Sequence, residues 1–306
     1  MFFCILYSGT VISNRCSDES FFTAQQVKGL LEYIPTPKER QALNAFLSSG
    51  DDASILSLSE CERFMVSLFP VDHVKEKMEV MLFKLQFPSA VKDLSTVIGT
   101  LCRGCDEILH SQKLKRLLGT ILKIGNHLNQ AGSIPKSKDT VAFELESLAK
   151  LKQVKAWDRK TTVLSYISSI LFKWNEPVLG IKDDLPNVLK VLSFNENDYE
   201  ESLTALIQQM KAIQKIMSDI DIAPTTKFFL DAAGALDDLN NSNMTLKTKF
   251  GEVLEYLSES RNLKPIELFC TLSSFCNDIE STYANLKNDK NVKDRSSWRR
   301  NLKRCN

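Results

Sequence analysis

Apolar residues recur three and four positions apart along most of this 306-residue chain, the spacing of one face of an α-helix. Val74, Met78, Met81 and Leu85 form one such stripe, and Pro88 is expected to close it because proline lacks the amide the next turn needs. Leu94, Ile98, Leu101, Cys102, Cys105 and Ile108 form a second. Leu114, Leu118, Ile121, Gly125 and Leu128 form a third. The longest seam runs through Tyr199, Leu203, Leu206, Met210, Ile213, Met217 and Ile220, a helix of about 33 Å that must bury a narrow stripe against a partner helix. Beyond Pro224, "KFFLDAAGALDDL", "LKTKFGEVLEYLSE" and "PIELFCTLSSFCNDIESTY" predict three further amphipathic helices. No alternating run of useful length occurs, so the chain reads as all-α without a β-sheet. No fixed-period repeat marks it as a solenoid.

The helix starts carry recognisable devices. Thr36, Pro37 and Glu39 spell a capping box with proline at the first helical position, and Ser57 with Glu60 is expected to repeat it. Between residues 131 and 142, "AGSIPKSKDTVA" has the composition of a loop, and helix resumes through "FELESLAKLKQV". One stretch breaks the pattern: "ILKIGNHLNQAGS", residues 121–133, sets a glycine and two asparagines in an apolar helix. A helical glycine costs about 1 kcal/mol relative to alanine. Either Gly125 ends the helix as its C′ residue, or it lets another backbone or ring come close. Leu128 staying in register favours the second reading.

Composition narrows the choices. Hydrophobic residues make up 43% and charged residues 25%, so the chain can bury a core. Only 11 glycines occur, where average usage gives roughly 20, consistent with long uninterrupted elements. The net charge is +1, but Lys287–Asn306 holds eight basic and two acidic side chains. Lys293, Arg295, Arg299, Arg300, Lys303 and Arg304 belong to this basic tail, which reads as flexible and as suited to an acidic protein surface or an anionic membrane. Trp298 among them can insert at an interface. No specific nucleic-acid motif accompanies it. Of the eight cysteines, only Cys102 and Cys105 have ligand-like spacing. They lack the second pair that zinc would need, so buried free thiols in a reducing cytoplasm are expected. His73, His110 and His127 are scattered, and no nucleotide-binding or nucleophile motif is present. The sequence implies no enzyme, metal or cofactor; function falls to surfaces.

The opening stretch, extended through "GNHLNQAGSIPKSKDTVAFELESLAKLKQVKAWDRKTTVLSYI", resembles the signature of the formin homology-2 domain. That pattern is a glycine-asparagine core, a polar loop, an aromatic step, an "LxKL" step, and an acidic-lysine-threonine run into an apolar helix. Gly125, Asn126, Leu128 and Asn129 match the first part. Phe143, Leu145, Leu148, Lys150 and Leu151 match the middle, and Asp158, Lys160, Thr162, Leu164 and Tyr166 the last. The resemblance covers residues 22–286. It leaves 1–21 as an atypical leader and 287–306 as the tail, and it implies an elongated helical bundle with a partial knob, a post and a coiled-coil region.

From the resemblance follow the functional expectations. The post receives the N-terminal lasso of a second formin subunit, closing a ring around the actin filament's barbed end. Gly125, Asn126, Leu128, Asn129, Phe143 and Leu145 are the lasso-docking candidates, with the asparagines hydrogen-bonding the incoming main chain. Lys150, Lys155 and Lys160 are the actin-contact candidates. A cytoplasmic, cytoskeletal regulator of filament nucleation or elongation is implied, acting by binding. The sequence departs from the family at Ala142, usually glycine, and at Glu144, often basic, a reversal that weakens attraction to acidic actin. A lasso, linker, early knob and proline-rich segment are not found, so a truncated formin is expected. Such a chain accepts a lasso but cannot close a ring of its own. The alternative is a helical scaffold or modulator that binds other formin subunits without assembling actin.

Overall fold

The structure is a computed structural model. It describes residues 22–49, 57–130, 144–155, 161–173, 180–194, 199–220 and 226–302, without the side chains of 49, 128–130, 226 and 288–302. Among the described residues every regular element is helical apart from one isolated antiparallel bridge, Lys155 to Thr162. The chain divides into two compact units, Met1–Leu94 with Asp198–Asn240 and Ser95–Asn197 with Asn241–Asn306.

The first unit holds α1 (Ala24–Glu32), α2 (Pro37–Ser49), α3 (Glu60–Ser67), the start of α4 (Val74–His110), α10 (Tyr199–Asp219) and the start of α11 (Thr226–Leu257). Val27, Phe64, Leu68, Val71, Met78 and Met81 lie at its core. Thr36 and Glu39 form the expected capping box, the Thr36 amide donating to Glu39 Oε2 at 2.8 Å. The expected second box is displaced by two residues. Ser59 caps α3 and its amide donates to Glu62 Oε2 at 2.8 Å. Ser59-x-x-Glu62 offers the same spacing as Ser57-x-x-Glu60, and burial of Leu58 and Phe64 selects the later frame. In α10, Tyr199, Leu203, Leu206, Met210 and Ile213 are buried at alternating four- and three-residue intervals, so this chain itself covers the seam.

Pro88 does not end a helix: α4 continues through it. Val80, Phe87, Leu94, Leu101 and Ile108 are all buried at seven-residue intervals across the proline. Breaking there would expose that stripe, which outweighs the roughly 3 kcal/mol that an interior proline costs. An aromatic cluster adds to this, with Phe87 5.3 Å from Phe83 and 5.8 Å from Phe228 between ring centroids. The two helices expected after Pro224 and around residue 250 are likewise one, α11. Phe229, Ala232, Leu236, Leu239, Asn243, Leu246, Phe250, Val253 and Leu257 are buried in an unbroken alternation of three and four. The polar run "NNSNMT" therefore loses to the seam, although Asn243 Oδ1 is buried without a partner.

The second unit packs α12 (Pro265–Leu302) against α6 (Glu146–Lys150), α7 (Val163–Lys173), α8 (Ile181–Asp184) and α9 (Pro186–Lys190). Next to α4, α5 (Gln112–Gln130) starts at Ser111, whose hydroxyl accepts from Leu114 N at 3.1 Å. Lys113 ties α5 to α8 through Asp184 at 2.8 Å and the Gly180 carbonyl at 3.0 Å. Glu107 of α4 accepts from the Asn187 and Val188 amides at the start of α9, and Lys249 of α11 reaches Asp106 at 2.6 Å. Gly104, inside "CRGC", has a packing reason. A Cβ there would lie 2.3 Å from Cε2 of Phe269, a ring with no exposed surface. The backbone of the basic tail is helical in α12 through Leu302, whereas composition alone reads it as flexible.

Candidate functional site

Helix α5 carries the glycine-asparagine segment. It runs without a break to Gln130, so Gly125 is interior and the C′ alternative is ruled out. Gly125 and Asn126 are both half-buried. A Cβ built on Gly125 meets no atom within 4 Å beyond its own helical turn. Among the described residues no atom fills that position, as is also the case at Gly29, Gly119, Gly234 and Gly251 and in contrast to Gly104. Leu128 and Asn129 lie on the last turn of the same helix, three and four residues beyond Gly125, but their side chains are outside the described residues, as is Phe143.

Leu145 follows the segment that leads from α5. Its side chain is buried, and its amide donates to the Glu259 carboxylate. Glu259 sits just after α11, where Ser258 adopts φ 57° and the Glu259 amide closes on the Leu254 carbonyl at 2.8 Å. Sequence reasoning missed this anchor, because a contact spanning 114 residues has no local signal. Glu144 is exposed.

Of the lysine candidates, Lys150 and Lys155 lie on a segment whose backbone is tied to the start of α7. The Val163 amide donates to the Val154 carbonyl at 2.9 Å and the Leu164 amide to the Leu151 carbonyl at 2.9 Å, while Lys155 bridges to Thr162. Thr162 then caps α7, accepting from Ser165 N at 3.1 Å. Lys155 is exposed at the end of this segment. Lys150 is exposed too and pairs with Glu146 at 3.0 Å across one helical turn, an exposed pair worth about 0.3–0.5 kcal/mol. Lys152 is held by Asp278 of α12 at 2.7 Å. Lys160 lies outside the described residues, as do the side chains of Lys293, Arg295, Arg299 and Arg300, together with Lys303 and Arg304.

The Cys102–Cys105 pair lies on α4. Burial, then the neighbouring Cys102 and Asp106, pushes the Cys105 thiol up to about 12, and burial raises Cys102 as well. Cys276 on α12 is pushed up to about 12 by burial and by Glu280. Thiols protonated at neutral pH are poor metal ligands and poor nucleophiles. Among the described residues no group of three His, Cys, Asp or Glu side chains could hold a metal, and no helix is long and apolar enough to cross a membrane.

The described elements form an all-α module in which Gly125 has no described atom at its Cβ position and Lys150 and Lys155 are exposed. A profile of the Formin Homology 2 Domain matches residues 12–280. Formin-like protein 6 of Oryza sativa subsp. japonica is 34% identical over 209 residues, covering 68% of this chain and 14% of that protein. Formin-like protein 5 of the same plant is 29% identical over 275 residues, covering 84% and 16%. Protein diaphanous homolog 3 of Rattus norvegicus is 30% identical over 198 residues, covering 65% and 16%. The chain belongs to the formin family by its Formin Homology 2 Domain. It spans 14–16% of the length of these relatives.

Proposed function

We propose that this chain is an actin-binding protein of the formin type, regulating filament nucleation or elongation at the barbed end by binding rather than catalysis. Its place of action is the cytoplasmic actin cytoskeleton. The observation that carries the reading is the Formin Homology 2 Domain match over residues 12–280; within it Gly125 is an interior helical glycine with no described atom at its Cβ position, beside a half-buried asparagine. Helix stability is given up there with no packing return among the described residues. In this reading the face around Gly125, Asn126, Leu128 and Asn129 receives the extended arm of another formin subunit, and Phe143 and Leu145 are the further docking candidates. Leu145 contributes by fixing the chain through Glu259 rather than by an exposed side chain. Lys150, Lys155 and Lys160 meet the acidic filament, and the basic tail from Lys287 adds sequence-independent attraction.

A second reading, a modulator that binds formin subunits without assembling actin, is favoured by Glu144. It is exposed at a position where the family resemblance implies a basic residue, and its charge would oppose an acidic filament. Labelled-actin polymerisation and filament co-sedimentation separate the two, run with the chain alone and with a lasso-containing formin domain. Acceleration by the chain supports the first reading, and inhibition only in the presence of the relative supports the second. No pelleting and no effect in either assay contradicts both.

A further inference from the structure

We propose that Thr36 is a phosphorylation site, modified by a proline-directed protein kinase with ATP as the phosphoryl donor. The inference is independent of the actin-binding reading.

Of the nine prolines in the chain, Pro37 alone follows a serine or threonine. Proline after the acceptor residue presents no amide hydrogen for the kinase to satisfy and a φ already fixed near about −65°. It also disfavours the helical region for Thr36, as Pro35 does for Ile34, so the backbone on the N-terminal side of each proline favours the extended form that a substrate cleft accepts. Thr36 is exposed, and from Tyr33 to Ala42 no side chain is buried. Within this run Ile34, half-buried, packs against the core of the first unit, and the first buried residue of α2 is Leu43. The first turn of α2 can therefore open without uncovering a buried side chain, which puts it at the low-cost end of local opening.

What must give way is the capping box. The Thr36 hydroxyl donates to Glu39 Oε2 at 2.8 Å and accepts from the Glu39 amide at 3.4 Å, while the Thr36 amide donates to the same carboxylate oxygen at 2.8 Å. These bonds are exposed, so water takes them over when the turn opens. In the transfer, Thr36 Oγ1 bonds the γ-phosphorus of ATP and the bond from that phosphorus to the β,γ-bridging oxygen breaks, leaving ADP. The hydroxyl proton passes to the catalytic aspartate of the kinase. The product carries a charge of about −1.5 to −2 at neutral pH, on the oxygen that now lies 2.8 Å from Glu39 Oε2. Like charges do not share a cap, so the Glu39 carboxylate leaves it. Arg40, one turn beyond Thr36 and now donating to the Phe69 carbonyl at 3.1 Å, has the planar fork that pairs with a phosphate.

The test incubates the full, natively folded chain with ATP and, in parallel, a cyclin-dependent kinase and a mitogen-activated protein kinase, each shown to be active on a standard peptide. About one phosphate per chain, assigned to Thr36 by tandem mass spectrometry, is expected from at least one of them. Thr36→Val should abolish that incorporation. Because this change also removes the cap, Pro37→Ala is the second variant. It keeps the hydroxyl and Glu39, and it is expected to lower incorporation by at least about tenfold with a melting curve close to wild type by circular dichroism. No incorporation with either kinase overturns the proposal. So does phosphate assigned to another residue alone, incorporation that survives Pro37→Ala, or incorporation that requires the chain to be unfolded first. Each of these outcomes leaves the actin reading untouched.

Discussion

Replacing Gly125 with alanine separates an internal role for this glycine from an external one. The added methyl meets no described atom within 4 Å outside its own helical turn. The helix should therefore gain its ordinary alanine preference of about 0.5–1 kcal/mol, without an overpacking penalty. For a chain of this size that raises the melting temperature by about 1–3 °C. The same methyl stands where an incoming arm would lie. Forcing a methyl into a close-packed contact costs about 1–3 kcal/mol, a loss of roughly 5- to 150-fold in affinity. The expected outcome is a protein more stable than wild type that binds a lasso-containing formin domain more weakly. Differential scanning calorimetry and isothermal titration measure the two halves independently. A destabilised Gly125→Ala protein would show that the glycine has an internal function. Unchanged affinity would show that nothing docks against it.

Gly104→Ala should do the opposite: its Cβ would stand 2.3 Å from the buried Phe269 ring, and urea unfolding should show a net loss of at least about 1 kcal/mol despite the gain in helix preference. Equal or greater stability would contradict the close-approach account. Asn243→Leu replaces a buried seam residue whose Oδ1 has no partner, and a gain of about 1 kcal/mol is expected in the same assay; a loss would mean that Asn243 makes a bond worth keeping. Hydrogen bonds from the Thr36 and Ser59 backbones, then from their hydroxyls, hold the Glu39 and Glu62 carboxyls below the ordinary 4.5. With folded values depressed, the stabilisation is present above that pH and is lost as pH falls through the lowered values. Amide protection at Thr36 and Ser59 should drop on acidification, and Glu62→Gln should remove the acid dependence at Ser59 alone; the same dependence in that variant would refute the linkage.

What the sequence made legible was set by how local the physics is. Helix class and the seam from Tyr199 followed from periodicity, because burying a stripe is a property of neighbouring turns. Two boundaries were misplaced where a local breaker was weighed above a longer stripe. Val80, Phe87, Leu94, Leu101 and Ile108 pass straight through Pro88, and the three-four alternation from Phe229 to Leu257 passes through the asparagine run. Both repeats are visible in the letters once counted over five turns rather than two. The Ser59–Glu62 box was equally visible, two residues from the one chosen. At the candidate site, sequence supplied Gly125 and Lys155. It did not supply the reason Gly104 is a glycine, nor the Glu259 anchor on Leu145, since each depends on a residue brought in from far along the chain.

The most direct test of the docking account is hydrogen exchange by mass spectrometry on the full chain, with and without a lasso-containing formin domain. The account predicts slowed exchange across residues 121–130 and at Leu145, with little change in α1 to α3. Binding that leaves the amides of 121–130 as fast as in the free chain would contradict it.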